Sequence, residues 1–167
     1  MVHFPGRRKP AAGLPSSGMS GQLHAVDGHP ADGSSGIRVI LADDHPSLRR
    51  SLRRLLESED DMNVVGEAGD LETAIRGVRS HGPDVLVLDL RMPDGASSER
   101  IKRLREQSPR TAIVIITLQE NQMFADLAAK AGAIGFVLKD RADQELADAV
   151  RHAARGREYR SPHLRAP

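Results

Sequence analysis

The sequence contains no cysteine, which excludes disulfides, thiolate metal sites and a cysteine nucleophile. It also lacks any apolar run near the roughly 18 residues that a transmembrane helix requires. The first residues do not form the apolar segment of a signal peptide. In a chain of 167 residues that is 39% hydrophobic, these absences predict a soluble cytoplasmic protein with one folded domain and no membrane partner.

An excess of charge of either sign is missing as well. The formal net charge is +1 at pH 7, and beyond residue 36 the basic and acidic residues number 21 each. A body without net charge exerts no general attraction on nucleic acid. The composition therefore gives no reason to expect DNA binding.

Residues 1–36 have little that could form a core. They contain 7 glycines, 4 prolines and 5 serines, and their few apolar side chains follow no period. Such a segment cannot bury enough surface to offset the entropy of ordering it. We therefore predict a disordered N-terminal tail over residues 1–36.

From Ile37 onward the pattern alternates between strands and amphipathic helices. Short β-rich or wholly apolar runs predict five strands, at Ile37–Ala42, Met62–Ala68, the run that ends at Asp89, Thr111–Thr117 and Ile134–Leu138. A helical pattern follows each run, and the last helix ends near Gly156. Five successive strand and helix units predict right-handed crossovers and a parallel sheet with helices on both faces.

Side chains that can bind a ligand or react stand at the ends of four of these strands. The carboxyl ends of parallel strands lie at one edge of a sheet, where ligands bind. This edge would present Asp43 and Asp44 from the first strand, Asp89 from the third, Thr117 from the fourth and Lys139 from the fifth. Neighbouring carboxylates repel one another unless a cation intervenes. Mg²⁺ suits such a site because it takes one or two carboxylates and keeps its other positions for water and phosphate oxygens.

This set of residues, with Asp89 inside Asp-Leu-Arg-Met-Pro, resembles the bacterial response-regulator receiver domain over residues 37–156. The resemblance implies a flavodoxin-like α/β fold, with a five-stranded parallel sheet in the order 2-1-3-4-5 and helices on both faces. Residues 157–167 would then be a C-terminal tail or the remnant of a linker. It also implies a phosphorelay protein of a two-component system, a signalling domain rather than an enzyme that turns over a substrate.

The resemblance implies a mechanism. Asp89 would accept a phosphoryl group from a sensor histidine kinase and become an aspartyl phosphate. Asp44 and Asp89 would hold Mg²⁺, helped by Asp43 through water and by the main-chain carbonyl of Arg91. Lys139 would pair with a phosphoryl oxygen.

The signal would then pass to a partner or dimer surface. Thr117 would move to hydrogen-bond the phosphoryl group, and Phe136 would rotate inward into the space that Thr117 leaves. The output face would comprise the fourth helix, the fifth strand and the fifth helix, with the first and fifth helices as an alternative dimer contact. A homodimer or a downstream protein would read this surface.

Details of the motif resemble the NarL/FixJ type of regulator. Leu118 replaces the small residue that many receivers have after the threonine, and Leu-Lys-Asp at 138–140 also suits this type. The segment 156–162 resembles the linker to a helix-turn-helix domain. The five residues after Pro162 cannot build a recognition helix. We therefore expect no DNA binding by this chain, which is either a stand-alone receiver or a shortened relative of a transcription regulator.

Two other functions remain open on the residues alone. Leu118 and the absence of an output domain motivate a receiver-like module that dimerises or binds partners without phosphorylation. A phosphatase of the haloacid-dehalogenase class also uses a strand-end aspartate, but Arg91 occupies the place of its second aspartate. His45, next to the acidic pair, is expected to point to solvent rather than to bind a metal.

Overall fold

The structure is a computed structural model that describes residues 36–92 and 97–165. The tail predicted for residues 1–36 therefore lies, up to residue 35, outside the described residues. The strands are β1 (Ile37–Ala42), β2 (Met62–Ala68), β3 (Val85–Asp89), β4 (Ala112–Thr117), β5 (Gly135–Leu138) and β6 (Tyr159–Arg160). The helices are α1 (Pro46–Glu57), α2 (Leu71–His81), α3 (Ser98–Gln107), α4 (Gln122–Lys130) and α5 (Ala142–Ala154), and a 3₁₀ turn at Lys139–Arg141 precedes α5.

The sheet has the strand order β2-β1-β3-β4-β5-β6, and all of its strands are parallel. The predicted flavodoxin-like fold and the order of its first five strands are thus confirmed. The prediction of five strands is wrong by one, because β6 adds to the edge of β5. This strand has only two residues and no apolar run, so the sequence pattern does not predict it.

The strands are buried on both faces, which explains why they have apolar runs rather than alternation with polar residues. Along β3, Leu86 and Leu88 pack toward α2, α3 and α4, whereas Val85 and Val87 pack toward α1 and α5. Two apolar layers therefore enclose the sheet. This packing holds the strand ends, and the polar residues that follow them, in fixed positions.

Local signals set the helix boundaries. Pro46 occupies the first turn of α1, where its missing N–H has no helical partner to lose. The Asp70 side chain caps α2 by accepting a hydrogen bond from the Thr73 amide, and Gly82 ends that helix with a left-handed φ of 53°. Within the described ranges, no helix is long and apolar enough to cross a membrane.

Candidate functional site

The predicted strand-end residues meet at one edge of the sheet. Asp43 and Asp44 follow β1, Asp89 ends β3, Thr117 ends β4 and Lys139 follows β5. Because all of these strands are parallel, every one of these residues lies at the carboxyl edge. The crossover order places β1 and β3 side by side, so the acidic pair and Asp89 become neighbours.

Lys139 joins the two most deeply buried carboxylates of this edge. Its Nζ lies 2.6 Å from Asp43 Oδ2 and 2.7 Å from Asp89 Oδ2. The Asp43 and Asp89 side chains are 1% and 0% exposed, and that of Lys139 is 8% exposed. Burial by itself would lower the pKa of Lys139, but hydrogen bonds to Asp43 and Asp89 outweigh burial and raise it. Lys139 is therefore a permanent cation in the site at neutral pH.

Backbone groups fix both carboxylates in addition to Lys139. The main-chain N–H of His45 donates to Asp43 Oδ1 over 2.7 Å. The main-chain N–H of Arg91 donates to Asp89 Oδ1 over 3.0 Å. Each carboxylate thus accepts one backbone and one ammonium hydrogen bond, which orients its oxygens before any ligand binds. The contact of Arg91 with the site is through its amide, and the role predicted for its carbonyl stays a prediction.

Four side chains could together hold a metal ion. Asp43, Asp44, His45 and Asp89 each offer a ligand atom, and these atoms all lie within 4.8 Å of one another. Among the residues that the structure describes, Asp44 Oδ1 is buried and has no hydrogen-bond donor. The His45 Nδ1 atom lies 2.7 Å from it. A buried carboxylate oxygen without a hydrogen bond, beside two further carboxylates, fits a hard cation with oxygen ligands such as Mg²⁺.

His45 is exposed, as predicted, at 66% of its side-chain surface. Its contact with Asp44 was nevertheless missed by the sequence reasoning. The only signal for it is that the two residues are adjacent at the start of α1. Adjacency alone does not show which way an imidazole turns.

The two residues predicted to transmit the signal lie in the interior. Thr117 is fully buried, and its Oγ1 accepts a hydrogen bond from the Gln119 amide over 3.2 Å. Phe136 is also buried and packs in the layer beneath α2, α3 and α4. The Phe136 side chain is thus enclosed by the core in this structure. The coupling of its rotation to Thr117 stays a prediction.

Arg49 is a residue of the site that sequence reasoning missed. Its Nη1 donates to the main-chain carbonyl of Asp43, and its Nε lies 3.0 Å from Glu67 Oε2 on β2. It therefore ties the loop that carries the acidic pair to the neighbouring strand. Helical periodicity identifies Arg49 only as part of the polar face of α1, where a solvated role is the simplest interpretation.

The comparison with protein families agrees with this geometry. The sequence model of the response regulator receiver domain family matches residues 39–151 of this chain. The chain belongs to the response regulator receiver domain family. The predicted resemblance to the receiver domain is therefore confirmed at the level of the family. Phosphotransfer and the individual roles of Asp43, Asp44, Asp89, Thr117 and Lys139 remain to be tested.

Similar proteins include longer regulators. This receiver domain is 41% identical over 120 residues to the uncharacterized transcriptional regulatory protein YxjL of Bacillus subtilis, and the match covers 72% of the chain and 55% of YxjL. It is 36% identical over 129 residues to the oxygen regulatory protein NreC of Staphylococcus carnosus, with 77% of the chain and 59% of NreC covered. The chain thus spans a little over half the length of these curated relatives.

Solved structures share the fold. The signal receiver domain of the response regulator NarL from Mycobacterium tuberculosis is 35% identical, with a TM-score of 0.69, and the match covers 74% of this chain and 99% of that one. A two-component response regulator of the LuxR family from Aurantimonas sp. is 36% identical, with a TM-score of 0.73 and coverage of 78% and 93%. The receiver fold of this chain is therefore shared with solved regulators at substantial identity.

Proposed function

We propose that this receiver domain accepts a phosphoryl group from a phosphohistidine of a sensor histidine kinase onto Asp89, and that the change alters a surface read by a partner or a second copy. The observation that carries the proposal is the Lys139 ammonium, which contacts the buried carboxylates Asp43 and Asp89 at once. A purely structural strand end has no need of two buried carboxylates and a buried cation.

The chemistry assigned to Asp89 follows from its surroundings. One of its oxygens attacks phosphorus, the P–N bond of the phosphohistidine breaks, and the bonding electron pair returns to the imidazole nitrogen. The Asp89 oxygens are already oriented by the Arg91 amide and by Lys139. Such positioning is the main contribution of a protein to phosphoryl transfer.

Mg²⁺ would be held by Asp44 and Asp89, with Asp43 close by, and when bound it neutralises charge on the phosphoryl oxygens. The buried Asp44 oxygen without a hydrogen bond supports this assignment. Lys139, kept charged by its two carboxylates, pairs with a phosphoryl oxygen. Its Nζ already lies 2.7 Å from Oδ2 of the reacting carboxylate Asp89.

Thr117 would donate its hydroxyl hydrogen to the phosphoryl group. Its burial at the end of β4, next to β3, supports this role. In this proposal the protein is a signalling domain and not a turnover enzyme. Arg91 stands where a haloacid-dehalogenase phosphatase requires a second aspartate as general acid.

Exposed apolar side chains favour a partner surface near α4. The large hydrophobic residues with exposed side chains in the described part of the chain are Leu118, Met123, Phe124 and Leu127. They lie on α4 and on the loop before it, which belongs to the predicted output face. The same patch would serve a module that binds partners without phosphorylation, which is the second candidate function.

The test separates these two functions. The folded chain is incubated with Mg²⁺ and acetyl phosphate, then examined by intact mass spectrometry and phosphate-affinity electrophoresis. We expect a base-labile gain of one phosphoryl group, which is lost in the Asp89→Asn variant and without magnesium. If the folded wild-type protein binds Mg²⁺ and yet gains no phosphoryl group, the receiver chemistry is wrong and the second candidate takes its place.

A further inference from the structure

The last described segment of the chain, residues 159–165, lies along the edge of the sheet, and we name it the C-terminal strap. It begins as β6, where the Tyr159 amide donates to the Ile134 carbonyl over 3.0 Å and the Ser161 amide donates to the Phe136 carbonyl over 2.9 Å. Because β6 is parallel to β5, the strap runs toward the carboxyl edge that carries the site. Leu164 then packs against the apolar layer that contains Phe136.

The far end of the strap is bound to the loop between β4 and α4. The Arg165 amide donates to the Glu120 carbonyl over 2.7 Å, and the Gln122 amide donates to the Arg165 carbonyl over 2.9 Å. The Arg165 Nε atom also lies 2.7 Å from Glu120 Oε2. Two backbone hydrogen bonds and one ion pair thus hold a single residue of the strap against this loop.

The same loop is attached to Thr117. The Gln119 amide donates to Thr117 Oγ1 over 3.2 Å, and Glu120, which holds Arg165, is the next residue. A displacement of the Thr117 hydroxyl therefore acts on the contact with Arg165 through only a few bonds of backbone. The strap thus bonds directly to the Phe136 carbonyl through the Ser161 amide, and it is linked to Thr117 only through the loop at Gln119 and Glu120.

We propose that the C-terminal strap is a positioning element of the phosphorylation site. When the strap is docked, it holds the loop between β4 and α4 in the arrangement in which the Thr117 hydroxyl accepts a hydrogen bond from the Gln119 amide. A phosphoryl group on Asp89 draws this hydroxyl away, shifts the loop and weakens the hold on Arg165. The inference rests on the function proposed above. It adds a coupling between phosphorylation of Asp89 and docking of the strap, which lies outside the site.

Coupling of this kind is reciprocal. If occupation of the site weakens docking of the strap by some factor, then docking weakens occupation of the site by that same factor, and a variant with a weaker strap gains at most this factor in affinity. The Arg165 and Glu120 side chains are 79% and 41% exposed, so their ion pair contributes modestly. We expect Arg165→Ala to raise affinity for a phosphoryl analogue about twofold to fourfold. Arg165→Pro also removes the N–H that binds the Glu120 carbonyl. We expect this variant to raise the affinity for the phosphoryl analogue about threefold to tenfold.

Arg160 supplies a matched control within the same strap. Its Nη1 lies 2.6 Å from Asp126 Oδ1 on α4, so Arg160→Ala also removes one exposed ion pair of an arginine. Within the described ranges, the Arg160 side chain makes no hydrogen bond or ion pair with residues 118–121, and its link to Gln122 is indirect, since Gln122 Nε2 lies 3.4 Å from the same Asp126 oxygen. The Ser161 amide still anchors the strap beyond this position, and we expect the affinity for the analogue to stay within about 1.5-fold of wild type.

The experiment uses the full chain, Mg²⁺ and beryllofluoride as the phosphoryl analogue, with binding and amide exchange followed residue by residue by NMR. In the wild type, we expect saturation with beryllofluoride to speed exchange of the Arg165 and Gln122 amides. The Tyr159 amide, at the start of β6, is expected to keep its protection. This measurement requires no substitution and does not depend on whether the proline variant folds.

Each outcome decides the matter. Faster exchange at Arg165 together with tighter analogue binding by both Arg165 variants supports the coupling. Wild-type affinity in both variants, unchanged exchange on saturation, or an equal effect of Arg160→Ala overturns it while the proposed function stands. If the folded wild-type protein does not bind beryllofluoride with Mg²⁺, then the proposed function fails and the coupling fails with it.

Discussion

Replacing Lys139 by methionine tests whether the folded state needs this buried cation to neutralise the carboxylates of Asp43 and Asp89. Methionine keeps an unbranched apolar stem of similar length and removes the charge. The two carboxylates would then lie buried without their shared counter-ion. Removing one partner of a buried ion pair costs about 3–5 kcal/mol. The partial exposure of Asp44 leaves this edge open to water, and we take the lower end, about 3 kcal/mol at neutral pH without divalent cations.

The loss should depend on magnesium. A divalent cation bound by the carboxylates replaces the missing positive charge, and it no longer competes with the ammonium for Asp89. Binding to the folded state alone stabilises by about 2.7 kcal/mol when the free cation is at 100 times its Kd. We therefore expect Mg²⁺ to bind the Lys139→Met variant more tightly than wild type and to restore much of the lost stability.

Urea unfolding followed by far-UV circular dichroism measures both effects, with and without Mg²⁺, since the chain has no tryptophan. Lys130→Met is the matched control, because Lys130 is exposed on α4, and its expected cost is below about 0.5 kcal/mol. The folded pKa of Lys139 is raised, so its contribution is present below the unfolded value of about 10.4 and is lost as pH rises through the folded pKa. Equal stability of wild type and Lys139→Met in EDTA, or equal stabilisation of the two by Mg²⁺, would refute this reasoning.

Three further predictions concern residues around the site and on the surface. Arg49→Ala should weaken Mg²⁺ binding about threefold to tenfold in calorimetric titration. Arg53→Ala removes an arginine bound to the same glutamate and should leave Mg²⁺ binding unchanged. Equal effects of the two substitutions would contradict a positioning role for Arg49. A hydrogen bond from Arg151 lowers the pKa of Asp61, so this pair stabilises above the unfolded pKa of about 3.9 and loses its effect as pH falls through the folded value. Arg151→Ala should therefore cost up to about 1 kcal/mol at neutral pH and less below about pH 4, a trend that unfolding at several pH values checks. Leu118→Ala should speed phosphorylation by acetyl phosphate at unchanged melting temperature; an unchanged rate would show that this exposed side chain does not limit access.

The elements with strong patterns were predicted well. The bounds of β1 and β2 match the prediction, and those of β4 and β5 differ by one residue at the start. Their apolar runs cannot be accommodated except inside a sheet covered on both faces. The site residues followed from the same reasoning, since parallel strands must end at one edge. Asp89 and Lys139 are 50 residues apart in sequence and were nevertheless expected to be neighbours.

The parts that escaped prediction depend on backbone geometry and on side-chain direction. β6 is held by main-chain hydrogen bonds to β5, which any residue except proline can make. Arg49 lies on the polar face of α1, and only the packing of α1 beside β2 brings it to the Asp43 carbonyl. The hydrogen bond from the Arg91 amide to Asp89 was not predicted either, and the role expected for the Arg91 carbonyl stays a prediction.

The amino-acid sequence by itself determined the alternation of strands and helices, the buried sheet and the residues that stand at its carboxyl edge. Periodic apolar residues and helix-boundary residues act locally, and for that reason they can be read in order along the chain. Only the tertiary structure decided that Lys139 bonds two carboxylates at once, that Arg49 supports the acidic pair and that the strap reaches the loop after Thr117. These contacts join residues distant in sequence, and their distances arise from how the elements pack rather than from any local pattern.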